Sequence, residues 1–338
     1  MDRKLISCVV CCYNSAAYMS KCIESLLKGK EKVEIIIIDD GSKDDTGKIA
    51  DEYLAQYPDN IKVVHQQNAG HGAGVQKGIE LATGYYFKVV DSDDWLDTDA
   101  FKKLLDCIEK SDKTIDVYMT DYRYCHQDDE GSQTIAYGSC FPENKIFTPH
   151  DIKHMELTKY FTIHSTCYRT DLLKSLNMRI PTKVSYDDNY FIYIPLPHVK
   201  KMYYLPVTLY CYLIGREGQS VSEAIAIKRY SHYLRIAEDC FLQVDQYQYK
   251  KDKAIWKMIY HQYLIVYGSA MAFANIAGTK ESKKALKDFH KTCKANNKRQ
   301  YRKLRYFSLS SFIAQPNLLG RINAKIFYWI SRRLVKYN

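Results

Sequence analysis

The strongest constraint on this chain is a recurrence: runs rich in apolar and β-branched residues at 5–12, 33–38 and 85–90, each followed by a polar loop and then by helical spacing. Gly29 closes the helical stretch after 5–12, Pro58-Asp59-Asn60 breaks the one after 33–38, and Gly84 ends the one that precedes 85–90. Short strands at 61–64 and 115–120 complete the alternation. Continuous apolar strands between helices predict a doubly wound, mostly parallel α/β sheet with helices on both faces. In such sheets ligand loops gather beyond the carboxyl ends of the strands.

At that edge the chain places its carboxylates. The run 85–90 ends in Asp91-Ser92-Asp93-Asp94, and 33–38 ends in Asp39-Asp40-Gly41-Ser42. Asp91 and Asp93 converge if the chain turns at Ser92, and hard oxygen ligands there suit Mn²⁺ or Mg²⁺ bridging phosphate oxygens. By itself the cluster reads more readily as a solvated turn capping a helix near Thr98. Asn14-Ser15 offers an N-cap to a helix over 16–27. The glycine-rich stretch 68–74 leads into a helix over 75–82. Met202 to Ile214 reads as a strand pair bent at Pro206. After Val221 apolar residues recur at three and four residue spacing, marking a helical domain over 223–338 behind a catalytic domain over 1–222.

The length, 338 residues, accommodates a large domain and a smaller one. No uninterrupted apolar stretch is long enough to span a bilayer, and Met1-Asp2-Arg3-Lys4 passes directly into a strand, so a cytoplasmic location is expected. The 11 cysteines lack a paired framework. Cys8 and Cys11 are three apart on a strand and face opposite sides, which argues against a redox or zinc pair. The net charge of +10 is uneven: residues 280–338 hold 16 Lys and Arg against 2 Asp and Glu, or +14, which leaves −4 for the rest. An acidic body with a basic tail points to an anionic partner surface, nucleic acid or membrane.

Six segments in order resemble the inverting GT-A glycosyltransferases of family 2, over about residues 4–222. Val9-Val10-Cys11-Cys12-Tyr13-Asn14 resembles the family's strand-to-loop segment, with Cys11 where proline is usual. The resemblance implies that Tyr13 packs on a nucleotide base beside Asn14. Asp39-Asp40-Gly41-Ser42 is similar to the D-D-G-S segment, implying that Asp40 accepts the base's N3–H, a contact that prefers uracil. The stretch 65–84 resembles the family's N-x-G run, implying that Asn68, Gly70 and Gly72 let the backbone approach the nucleotide. Val75-Gln76 stands where Arg-Asn is frequent, and His71 reads as a structural loop residue. Asp91-Ser92-Asp93 matches the D-x-D, implying that Asp91 contacts ribose or donor sugar and that Asp93, with Asp91, holds the metal. Ser185-Tyr186-Asp187-Asp188 is similar to the segment that carries the catalytic base, implying that role for Asp188 beside Asp187. The segment 210–222 resembles a Y-x-Y…R-x-G-x-S run, implying that Arg216 and Ser220 reach the diphosphate.

The resemblance implies a metal-dependent transfer of one sugar from a UDP-sugar to a saccharide acceptor, lipid-linked as in capsule or cell-wall glycan assembly. The membrane spans and Q-x-x-R-W segment of processive members do not occur. In the tail, Phe327, Trp329, Ile330 and Leu334 beside Arg332-Arg333 have the character of an interfacial helix, so residues 280–338 are expected to meet an anionic membrane surface, peripheral on its inner face. A solvated basic face covering the helical domain is the plainer alternative. Two other functions compete. A nucleotidyltransferase would carry a glycine-rich basic loop, which 9–15 lacks. A nucleic-acid- or glycan-binding protein is disfavoured by three acidic loops on one edge, and no nucleic-acid partner is expected.

Overall fold

The computed structural model describes residues 3–126, 133–156, 158–215, 222–308 and 310–335, with side chains through 330. The chain forms two compact units. The first comprises Met1–His154, Phe161–Val184 and His198–Ile214. The second comprises Met155–Tyr160, Ser185–Pro197 and Gly215–Asn338.

The first unit is an α/β sheet. Its elements are β1 (Ile6–Cys12), α1 (Met19–Leu27), β2 (Val33–Asp39), α2 (Thr46–Gln56), β3 (Ile61–His65), α3 (His71–Leu81), β4 (Tyr86–Asp91), β5 (Trp95–Leu96), α4 (Thr98–Lys110), β6 (Val117–Cys125), β7 (Gln133–Ile135), β8 (Ile146–Phe147), β9 (Thr166–Arg169), α5 (Thr170–Ser175) and, after α6 (Asp188–Tyr193) of the other unit, β10 (Met202–Leu213). The main order is β3-β2-β1-β4-β9-β6-β10-β5. The first four strands are parallel, β9 runs antiparallel between β4 and β6, and β6 is parallel to β10. Every residue of β2 is buried, as expected of a strand covered on both faces. The register pairs Cys12 with Asp39 and Cys11 with Asp91, so both acidic loops leave the sheet beside the end of β1.

Three local expectations need correction. Helix α1 starts at Met19, not at residue 16. Its first N–H groups are met by the Ser15 carbonyl, while the Asn14 side chain is committed to Lys43 N in the next loop. Helix α3 starts at His71, four residues early, because its glycines are required by packing. A Cβ on Gly74 would stand 2.6 Å from Cys11 Sγ, and one on Gly78 2.5 Å from a Val9 methyl. Finally, β10 is one strand of 12 residues, not a bent pair. The missing N–H of Pro206 falls where the register shifts between Leu205 and Thr208, a bulge that tolerates proline.

The second unit is helical: α6, then α7 (Glu223–Lys228), α8 (Tyr230–Gln243), α9 (Lys253–Ala277), α10 (Lys280–Asn296), α11 (Lys298–Phe307) and α12 (Leu318–Val335). Helix α9 is central, with α8, α10 and α12 packed on it. Asp252 caps its start and Gly278, at φ +63°, ends it. The basic stretch after 280 is two helices that bury Leu286, Phe289 and Leu304 and leave Phe307 exposed. None of the 11 cysteines forms a disulfide.

Candidate functional site

The site is built from four loops at the carboxyl edge of the parallel strands, and hydrogen bonds tie them together. Asn14 takes the left-handed conformation at φ +52°. Its N–H donates to Ser42 Oγ (3.0 Å) and its side-chain oxygen accepts from Lys43 N (2.8 Å), which joins the loop after β1 to the loop after β2. Ser15 Oγ lies 2.8 Å from Ser92 Oγ, joining the first loop to the turn after β4. Tyr13 extends from this junction with half of its surface open.

Asp39 and Asp40 differ in what they hold. Asp39 accepts from Ser42 N and contacts His65 Nδ1, each at 3.0 Å. Burial alone would raise its carboxyl, and these bonds outweigh it, leaving Asp39 below the usual range. Asp40 accepts from Gln66 Nε2 (2.7 Å) and Ala69 N (2.8 Å) through Oδ1, and from Gly70 N (2.8 Å) through Oδ2. It thereby fixes the loop after β3. Gly70 sits at φ +89° with Lys183 N 2.9 Å from where a Cβ would stand, so only glycine fits. Asn68 is exposed in the same loop.

The central turn is Asp91-Ser92-Asp93-Asp94, closed by Asp94 N donating to Asp91 O at 3.0 Å. Tyr210 of β10 latches it. The buried hydroxyl accepts from Asp91 N (3.0 Å) and donates to Asp94 Oδ2 (2.7 Å), while Leu213 N donates to Asp94 Oδ1 (2.8 Å). Burial, reinforced by the charges of Asp91 and Asp93, pushes Asp94 well above the usual carboxylate range. Asp91 behaves oppositely. Burial would raise it, but His71, His164 and Lys88 prevail and hold it low. His71 Nε2 lies 3.4 Å from Asp91 Oδ1. His164 is stacked at 4.4 Å on Tyr212, its Nδ1 is buried without a hydrogen-bond partner, and burial pushes the imidazole down to about 4. Lys88 is buried, donates to the Ile163, His164 and Thr166 carbonyls (3.0–3.3 Å), and is pushed down to about 8 by that burial.

Among the described residues, one group of three presents ligand atoms close enough for a shared cation: Asp91, Asp94 and His164, within 4.8 Å of one another. Asp93 lies half-buried in the turn outside that trio. Val75 is buried and Gln76 accepts from Ile180 N (3.2 Å), so both positions serve packing. Arg216 and Ser220 lie outside the described residues.

In the second unit, Asp187 is buried and Asp188 half-buried at the start of α6, with Asn189 Nδ2 donating to Asp188 Oδ1 at 3.1 Å. The preceding residues are clamped. Ser185 N donates to His232 Nδ1 (3.0 Å), Arg229 donates to Ser185 Oγ (3.0 Å), and Tyr186, at φ +69°, stacks on Tyr233 with centroids 3.7 Å apart. Sequence reasoning missed this clamp, along with the contributions of His71, His164 and Lys88. Their only sequence signal was residue type: a lysine inside an apolar strand, and histidines in glycine- or tyrosine-rich surroundings.

A family model described as glycosyl transferase family 2 matches residues 7–176, half of the chain. The chain belongs to glycosyl transferase family 2. Curated relatives of this family 2 chain include a chondroitin synthase from Escherichia coli, 28% identical over 72% of this chain and 34% of its own length. Another is glycosyltransferase GlyG from Streptococcus pneumoniae serotype 4, 36% identical over 38% of this chain and 42% of its own length. The family 2 chain thus matches about a third to two fifths of the length of these relatives. Among solved structures, S. aureus TarS 1–349 in complex with UDP-GlcNAc matches with a TM-score of 0.67 at 21% identity, covering 97% of this chain and 92% of that one. At that identity the likeness is one of fold, and the fold is GT-A.

Proposed function

We propose that this family 2 chain transfers one sugar from a UDP-sugar to a saccharide acceptor, with inversion at the anomeric carbon. The observation that carries the reading is the Asp91–Asp94 turn at the end of β4, latched by Tyr210 and joined to the Tyr13 loop through Ser15 and Ser92. The UDP-GlcNAc in the TarS structure and the glycan named in the chondroitin synthase support the donor and acceptor classes.

Tyr13 offers an open ring face for the base. Asp40 shapes the base pocket by holding Ala69 and Gly70, and the spare lone pair of Oδ2 suits an imide N–H. Asn14, Asn68, Gly70 and Ser92 line the nucleotide's path, with Arg216 and Ser220 assigned to the diphosphate. The donor set fits a divalent ion, since Asp91, Asp94 and His164 present ligand atoms within 4.8 Å of one another. We assign Mn²⁺ or Mg²⁺ to Asp91 and Asp93; once bound, the ion would neutralise charge on the departing diphosphate. Asp188 takes the proton of the acceptor hydroxyl as that oxygen bonds to the anomeric carbon, and the bond from that carbon to the diphosphate oxygen breaks with its electron pair leaving on UDP. Buried Asp187 and the Tyr186–Tyr233 stack position the base. A lipid-linked acceptor would place the protein at the inner face of the cell membrane.

Calorimetric titration with UDP, GDP, CDP and TDP, each with and without Mn²⁺, tests the donor assignment. Metal-dependent binding of UDP alone is expected, and no binding of any nucleotide would remove the reading. Asp188→Asn should keep UDP-sugar binding and lose transfer on the order of a thousandfold. Transfer near the wild-type rate would take the base role from Asp188.

A further inference from the structure

Helix α12 turns an apolar face outward. Leu318, Leu319, Ile322, Ile326, Trp329 and Ile330 are each 45–71% exposed. At about 100° per residue they fall within one arc of about 120°. The opposite side is already used: Gly320 and Ala324 are buried, Tyr328 packs on Phe273 of α9, and Phe327 packs on Phe312. Packing within its unit therefore accounts for one side of α12, while the residues of the other side keep about half or more of their surface exposed. Isolated exposed apolar residues are ordinary, but six in register along three turns form a patch of the kind that marks an interaction surface.

Charge decides among occupants. Arg321 and Lys325 border the arc on one side, Arg332 and Arg333 follow in sequence, and residues 280–338 carry +14. A second copy would bring the same positive charge against itself. Nucleic acid would answer the charge and leave the apolar arc in water. An anionic bilayer answers both, because its headgroups face the basic flank while its acyl boundary takes the arc. No described helix is long and apolar enough to cross a membrane. We propose that α12 is an interfacial helix that seats this chain on an anionic lipid surface, lying in the membrane plane with its apolar arc at the headgroup–acyl boundary and Lys325 at phosphate level.

The inference does not depend on the donor assignment, and its test reads no turnover. The full chain is sedimented with vesicles of phosphatidylglycerol mixed with phosphatidylcholine, and with phosphatidylcholine alone. Wild type should pellet with the anionic vesicles and bind neutral ones on the order of tenfold more weakly. Ile322→Asp/Ile326→Asp changes two exposed side chains, so the fold should persist by circular dichroism while anionic-vesicle binding falls at least about tenfold. Lys325→Gln should weaken binding by a smaller factor and reduce its salt dependence. Undiminished binding by the double variant, or no wild-type binding to anionic vesicles, overturns the proposal. A dimer that the double variant dissociates, without vesicle binding, would assign the arc to a second copy and overturn it equally. UDP titration of the same variants should match wild type, which separates the fate of this proposal from that of the transferase reading.

Discussion

Tyr210→Phe tests the candidate site where its parts are joined. The hydroxyl removed is buried, accepts the Asp91 N–H and donates to Asp94 Oδ2, while the ring keeps its place 4.8 Å from His164. The substitution thus removes two hydrogen bonds and almost no volume. Each buried group left without its partner costs about 1–3 kcal/mol. Asp94 retains the bond from Leu213 N, which places its share at the lower end, so the expected loss of stability is about 2–4 kcal/mol. Unlatching the turn also frees Asp91 and Ser92, so nucleotide affinity in the presence of Mn²⁺ should fall on the order of tenfold, the equivalent of about 1.4 kcal/mol. Urea unfolding followed by circular dichroism gives the first quantity and calorimetry the second. A double-mutant cycle with Asp94→Asn should show coupling of about 1 kcal/mol or more, because the two side chains share one bond. A stability loss under about 0.5 kcal/mol with unchanged nucleotide binding would refute the latch.

Gly70→Ala forces a side chain into a conformation at φ +89° and against Lys183 N, so a loss of about 2–3 kcal/mol and weakened nucleotide binding are expected by the same two assays; a neutral result would mean the loop relocates freely. His290 of α10 supplies a pH test remote from the turn. Burial, with Arg305 nearby, pushes its imidazole from 6.5 down to about 4, while Nε2–H donates to the Ala314 carbonyl at 3.0 Å. The unfolded chain therefore binds the proton first, and this contribution to stability is complete above pH 6.5 and lost as pH falls towards 4. Between about pH 7 and pH 5 wild type should lose about 2 kcal/mol more than His290→Gln in paired urea titrations, and equal losses would contradict the assignment. His164 titrates in the same window, and the wild-type-minus-variant difference cancels it.

Much of the first unit was legible because its signals are local. Apolar runs marked β1, β2 and β4, and the carboxylates following them marked the loop edge, since strand burial and turn chemistry are written in neighbouring residues. Errors arose where a distant partner overrode the local preference. Gly72 and Gly74 read as loop-formers yet lie in a helix, with Gly74 pressed on Cys11, and Pro206 read as a break yet sits in a bulge of a continuous strand.

By itself the sequence determined the parallel α/β alternation, the acidic edge, the basic helical end and the family. Only the tertiary structure decided how the site is held. Tyr210 reaches Asp91 across 119 positions, Lys88 reaches the carbonyl of His164 across 76, and His71 comes to Asp91 because β1 lies between β2 and β4. It also decided which side of α12 meets α9 and which faces water. Periodicity shows that a helix has faces, but which face is buried depends on the surface that packs against it, and that surface is assembled only when the chain folds.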